Sequence, residues 1–216
     1  SFGGVTIGPG TYYFVVSSNP LCLGDQFTNF DINITTSAAG LPGSTCGNPQ
    51  NIASLPYNNT GLSTCCYGDE YDNADACGSI YMDGDDYVFT YTSAGNECLV
   101  IDVSNTTPGA GVGVFLLDDC PDAVGATCIG QATSPSGSPT LGATISTPGT
   151  YYIVVSSTST VNCTAFDIDV TSTAAGAAGT NCANPVVISG LPYTVTGEGT
   201  QCMANDYTNA DPGSCG

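Results

Sequence analysis

From Tyr67 the chain reads YGDEYDNADACG, which sets Asp69, Glu70, Asp72 and Asp75 close together with Asn73 among them; MDGDDY then adds Asp83, Asp85 and Asp86. Hard oxygen ligands at one- and two-residue spacing suit Ca²⁺, which takes roughly 6–8 oxygens. Asp69, Glu70, Asn73, Asp75, Asp83 and Asp85 are therefore a candidate Ca²⁺ set. The spacing is not that of an EF-hand loop, and a solvated acidic loop accounts for the same residues. Asp118, Asp119 and Asp122 form a second cluster that reads as a polar hairpin. Paired carboxylates are also the machinery of glycoside hydrolysis, but no other type of acid–base side chain accompanies them.

That last point is one of composition. Nineteen Asp and Glu face no Lys, Arg or His, for a formal charge of −19. Nucleic-acid binding needs cations to neutralise phosphates. A P-loop needs its Lys, and the common serine and cysteine proteases need a His base. Zinc would have to be held by Cys and carboxylate alone, and the chain has no C-x-x-C pair. No apolar run approaches the roughly 20 residues of a membrane span. The expectation is a protein that is not an enzyme, binds no nucleic acid and does not span a membrane.

Twelve cysteines in such a chain read as disulfides, which persist in oxidising compartments. Cys120 and Cys128 flank a short loop at a strand end and are expected to bridge; Cys98 and Cys163, each opening a strand, are a second candidate pair. Adjacent Cys65 and Cys66 would then take Cys46 and Cys77 as partners. Each bridge adds roughly 2–4 kcal/mol.

The elements that must position these groups are strands. In FDIDV, Phe166, Ile168 and Val170 face one way and Asp167 and Asp169 the other. CLVIDVS sets Leu99, Ile101 and Val103 against Val100 and Asp102, and DYVFTYT sets Tyr87, Phe89 and Tyr91 against Val88 and Thr90. GVGVFLLD and TYYIVVSS are apolar on both faces, as central strands under loops or between sheets would be. No window offers a capped amphipathic helix. Tyr12, Tyr13, Tyr151 and Tyr152 read as core or sheet surface ahead of sugar platforms. The predicted fold is all-β, a disulfide-stapled sandwich of jelly-roll or Greek-key form with about seven to nine strands.

The chain also repeats itself. TIGPGTYYFVVSS at 6–18 returns as TISTPGTYYIVVSS at 144–157, and FDINIT at 30–35 returns as FDIDVT at 166–171. AAGLPGSTCGNPQNIASLPYNNTG, from Ala38, returns from Ala174 as AAGAAGTNCANPVVISGLPYTVTG. The offset is 136 residues, Ala38 to Ala174, and drifts to 139 at the TYY strand, Tyr12 to Tyr151. A period of that size is a domain, not a solenoid unit. Residues 41–176 form one complete copy, 1–40 the tail of a preceding copy and 177–216 the head of a following one. In the head, Asn205, Asp206, Asn209 and Asp211 keep oxygen ligands where the acidic loop recurs, and Thr208 replaces Asp72. Gln201 stands opposite Cys65, leaving Cys182, Cys202 and Cys215 as an odd trio, which hints at a bridge between repeats or simply at a partner outside this stretch, with plain staples within a domain the favoured reading. With no Met-led signal segment, the chain reads as a mature piece or a fragment.

The order GDDYVFTYT, CLVIDVS, GVFLLDDCPDAVGATC, PGTYYIVVSS and TAFDIDVT resembles the bacterial pre-peptidase C-terminal domain family, in its Cys-bearing tandem version from large secreted proteins of Bacteroidetes-type bacteria. That resemblance implies a non-catalytic β-sandwich appended to secreted proteases or strung along adhesins and surface fibres, with no catalytic residues to transfer. The expected function is a structural repeat of an extracellular filament or cell-surface adhesin, partnered by copies of itself or neighbouring repeats. The alternative is a carbohydrate- or protein-binding accessory module of a secreted hydrolase, with a glycan or other surface ligand.

Overall fold

The computed structural model describes residues 11–13, 15, 40–159, 163–176, 178–179, 184–196, 200 and 202. Among the described residues nine strands run in chain order: β1 (Gln50–Ile52), β2 (Tyr57–Ser63), β3 (Tyr87–Ser93), β4 (Glu97–Ser104), β5 (Val112–Leu117), β6 (Cys128–Ser134), β7 (Thr140–Ile145), β8 (Gly149–Ser157) and β9 (Ala165–Ala174). Helix among the described residues is confined to one 3-10 turn, Ile80–Met82, which Ser79 caps by accepting from the Tyr81 N–H. One sheet has the order β1-β3-β8-β5-β6 and the other β2-β9-β4-β7. Every pairing is antiparallel except β1 with β3.

Sequence alternation decides which faces meet. Leu99, Ile101 and Val103 of β4 are fully buried between the sheets, as are Phe166, Ile168 and Val170 of β9, while Asp102 and Asp169 of the same strands face out. Phe89, Val114 and Ile153 answer them from the five-stranded sheet. Burial of this apolar surface, at about 25 cal/mol per Å², is the main term favouring the sandwich. The half-buried strands read from FDIDV and CLVIDVS are as expected.

The strands read as apolar on both faces have a specific cause. Val88, Phe115, Leu117 and Val154 lie on the outer face of the five-stranded sheet, yet they too are fully buried. They pack with Tyr71 and Met82, forming a second, smaller core. Its cover is the segment between β2 and β3, the acidic loop itself. Gly113 of β5 sits where this cover presses closest: an added Cβ would meet the Phe115 ring at 2.6 Å and the Tyr81 Cβ at 2.9 Å.

The disulfides differ from the expected pairs. They join Cys46 to Cys120, Cys65 to Cys163, Cys77 to Cys128 and Cys98 to Cys202. Cys120 does not bridge Cys128, because the β5–β6 loop closes on its own hydrogen bonds: Thr127 N–H to Asp118 Oδ1 at 2.6 Å and Asp118 N–H to the Thr127 carbonyl at 3.2 Å. Cys128 instead reaches Cys77 of the cover, and Cys120 reaches Cys46, ahead of β1. Cys98 cannot meet Cys163, because β4 and β9 are antiparallel. Cys98 lies opposite Thr173, and Cys163 precedes Ala165 at the other end of β9. That length of strand spans roughly 30 Å at about 3.3 Å per residue. Cys65 takes Cys163 rather than Cys46 or Cys77, since Ser63 pairs with Ala165 and each cysteine lies two residues beyond that pair. Cys66 remains a free, exposed thiol.

Of the residues that carry the repeat, Phe30, Ile32 and Ile34, Asn205, Asp206, Asn209 and Asp211, and Cys182 and Cys215 lie outside the described residues. Within them, several local conformations recur one repeat apart. Gly43 N–H donates to the Asn48 carbonyl at 2.7 Å, and Gly179 N–H donates to the Asn184 carbonyl at 2.6 Å. Asn48 Nδ2 donates to the Gly40 carbonyl and Asn184 Nδ2 to the Gly176 carbonyl. The backbone is left-handed at Gly40, Gly43 and Cys66, and again at Gly176, Gly179 and Cys202.

Candidate functional site

The cover segment gathers most of the acidic candidates, and its hydrogen bonds show what they do there. Asp83 accepts from the Asn73 backbone N–H at 3.0 Å and from Asn73 Nδ2 at 3.4 Å. Asp75 Oδ2 accepts from the Asp72 N–H at 2.9 Å, and Asp72 Oδ1 accepts from the Ala74 N–H at 2.7 Å. Asp85 Oδ2 accepts from the Cys66 N–H at 3.2 Å. A segment with no regular structure has backbone donors that no sheet will satisfy, and short carboxylates at turn positions supply the acceptors. Asp69 and Glu70 remain exposed.

Asp86 is the exception in burial. It is fully buried, and its Oδ2 accepts the N–H groups of Glu70 at 3.0 Å and Tyr71 at 2.9 Å. Among the described residues its Oδ1 has no hydrogen-bond partner, the nearby Ser156 hydroxyl donating to the Gly84 carbonyl at 3.1 Å. Desolvation pushes this carboxyl up to about 8, with Asp69 adding to the rise, against the Ser156 hydroxyl and the two N–H groups. Asp86 N–H also donates to the Gly68 carbonyl at 2.8 Å, so both ends of the cover are tied where β3 begins.

Like charge accumulates beside it. Partial burial raises Asp69 above its ordinary range, and Asp85, Asp83, Asp72 and Glu70 raise it further. Burial likewise raises Asp85, against the Cys66 N–H. The fold therefore brings Asp83 and Asp85 within electrostatic reach of Asp69. Among the described residues no group of three or more His, Cys, Asp or Glu side chains is placed so that it could hold a metal ion. Asp118, Asp119 and Asp122 lie on the β5–β6 loop, where Asp118 and Asp119 accept loop N–H groups, as a polar hairpin requires.

Tyr71 was not singled out in the sequence. Buried under the cover, its hydroxyl accepts from the Cys46 N–H at 3.0 Å and lies 3.1 and 3.2 Å from the two sulfurs of the Cys46–Cys120 bridge. Burial pushes it up to about 12. A second polar knot lies by the Cys65–Cys163 bridge. Thr64 N–H donates to the Thr164 carbonyl at 2.9 Å, and Thr164 N–H donates to Thr64 Oγ1 at 2.9 Å, with both residues fully buried. The only signals for these groups were their neighbours, a cysteine in one case and an acidic run in the other.

The remaining bridge lies elsewhere. Cys98 alternates with Leu99 and so sits on the outer face of the four-stranded sheet, yet it is only 6% exposed. Cys202 is half-buried against it, its sulfur 3.2 Å from the Leu99 carbonyl oxygen and 3.4 Å from that of Ala143. The chain leaves β9 beside this point, where Ala175 N–H donates to the Asn96 carbonyl at 2.9 Å.

No protein-family model matches the chain, and no curated protein does. Among solved structures, a periplasmic lysozyme inhibitor of g-type lysozyme, Aeromonas hydrophila PliG, is similar at 13% identity. The likeness covers 57% of this chain and 95% of that chain, with a TM-score of 0.37. At that score it carries no argument about function. The four disulfides among the described residues point to an oxidising, non-cytoplasmic setting. Among the described residues no helix is long and apolar enough to cross a membrane.

Proposed function

We propose that this chain is a non-catalytic structural module, a stretch of a tandem β-sandwich array that builds an extracellular filament or cell-surface adhesin. The observation that supports it most is the Cys98–Cys202 bridge, which on this reading would fasten the head of a following copy to the outer face of the complete sandwich. A flexibly tethered accessory module has no need of such a staple.

The apolar residues of the partial copies support the same reading. Ile52 is 2% exposed in the complete domain, and its counterpart Ile188 is 56% exposed. Val154 is fully buried, and its counterpart Val15 is 86% exposed. Residues that are core in the complete sandwich have exposed counterparts in the partial copies, and further copies of the repeat are the surface that would fit them. The resemblance to the pre-peptidase C-terminal family is part of this proposal, and so is the identity of the partners as further copies.

Electron microscopy and solution scattering of the native material test it. A stiff thread with one domain per repeat of about 136–139 residues is expected. Domains that tumble independently, as if freely jointed, would overturn the filament reading and favour the accessory module of a hydrolase.

A further inference from the structure

Cys66 is the one free cysteine among the described residues; it is exposed and has a left-handed backbone, φ 72°. Taken alone it says nothing. Its counterpart one repeat on says more. Cys202 lies 136 residues after Cys66, within the stretch that recurs at that offset, and it too has a left-handed backbone, φ 62°. Cys202 is bonded to Cys98 on the outer face of the preceding sandwich. The same position of the repeat therefore appears twice in one molecule, once with its partner and once without.

The difference follows from numbering. The residue that would stand to Cys66 as Cys98 stands to Cys202 lies one repeat before Cys98, ahead of Ser1. No cysteine within the complete domain can substitute for it. Cys46, Cys77, Cys120 and Cys128 are joined in pairs, Cys65 holds Cys163, and Cys98 holds Cys202. We propose that Cys66 is the covalent acceptor of the preceding repeat: it forms a disulfide with that repeat's β4 cysteine, the one at the Cys98 position. The array would then be stapled at every junction by one bridge of the same kind. This rests on the tandem-array reading and gives that array its chemical link.

Closing the bridge is a two-electron oxidation and needs an acceptor, which is a disulfide oxidant of the thiol–disulfide exchange class. The Cys66 thiolate attacks one sulfur of the oxidant X–S–S–X and displaces one X–S⁻. The thiolate of the preceding β4 cysteine then attacks Cys66 Sγ in the mixed disulfide and displaces the second X–S⁻. Two thiols and one disulfide give one new disulfide and two X–SH, with the cysteine protons passing to the leaving thiolates. The acceptor site is sterically open, since Cys66 is exposed and its N–H is already held by Asp85.

The test is disulfide mapping of the native material. Iodoacetamide blocks free thiols under denaturing, non-reducing conditions, and pepsin at low pH then cuts the chain without thiol exchange. The peptide carrying Cys65 and Cys66 is expected to be joined to two others, one containing Cys163 and one from the β4 strand of another copy. Carbamidomethylation at Cys66 should fall from one per chain in the isolated 216-residue protein to none in the native array. A Cys66→Ser array should lose the β4 peptide and keep the Cys163 peptide, which assigns the two sulfurs. Full carbamidomethylation of Cys66 in native material, or its bonding to a cysteine at any other repeat position, would overturn the proposal. Threads with a free Cys66 would discard this link and keep the array. The bridged peptide from particles that are not threads would keep the link and discard the array.

Discussion

Asp86→Asn separates a buried charge from a buried shape. The carboxyl is raised from 3.8 to about 8, chiefly because it is desolvated beneath the cover. In the unfolded chain it ionises near its ordinary value, so between about pH 4 and pH 8 the folded protein holds a proton that the unfolded chain has released. The stability this contributes is complete below about pH 4, declines as pH rises and is gone above about pH 8. A tenfold difference in proton affinity between the two states corresponds to about 1.4 kcal/mol, so the group's full span is on the order of 5 kcal/mol. Asn keeps an oxygen to accept the Glu70 and Tyr71 N–H groups and has no proton to lose. Urea unfolding followed by far-UV circular dichroism, at fixed ionic strength from pH 4 to pH 9, measures the difference. The two proteins should be similar near pH 4. Asp86→Asn should be the more stable by about 2–3 kcal/mol near pH 6, and by more at pH 8. Parallel curves for the two proteins, or a native protein that gains stability from pH 5 to pH 8 through this residue, would refute the buried neutral acid.

Gly43→Ala should destabilise the domain by about 1–3 kcal/mol in the same assay, because φ is +100° there and the new Cβ would lie 2.5 Å from the Tyr87 ring. A change under about 0.5 kcal/mol would mean that this turn gives way easily. EDTA should leave the melting temperature unchanged, and Ca²⁺ should raise it no more than Mg²⁺ at equal ionic strength, since the carboxylates of the cover serve backbone N–H groups. A Ca²⁺-specific rise that saturates with concentration would show that the acidic cluster binds the ion.

These outcomes bear on what a sequence can say about such a molecule. Alternation in β4 and β9 was readable because each strand has one wet face, so Asp102 and Asp169 mark the outside as clearly as Leu99 and Ile168 mark the inside. The disulfide pairs were not readable. Cys65 meets Cys163 only because Ser63 pairs with Ala165, a register set by two strands about a hundred residues apart. Local spacing suggested Cys120 with Cys128, and spacing cannot reveal that a loop already closed by Asp118 leaves its cysteines free to hold something else.

The acidic loop lies between those cases, and one residue shows why. Asp86 belongs by composition to the run that invited a cation. By strand parity it belongs with Val88, which shares its face of β3, and that face is the one the loop covers. The parity was present in DDYVF all along, but it carries meaning only once β3 is known to be buried on both sides. Metal-like spacing and loop-closing chemistry draw on the same property of Asp, a short side chain bearing two acceptor oxygens. In a chain without a single cationic side chain the backbone N–H is the most abundant donor on offer, and most of the carboxylates of this loop have taken it. The acidic run is thus the means by which an irregular segment is held over a second core. The chemistry left to spare is the exposed Cys66 thiol, free among the described residues, whose counterpart 136 residues on, Cys202, is bonded to Cys98.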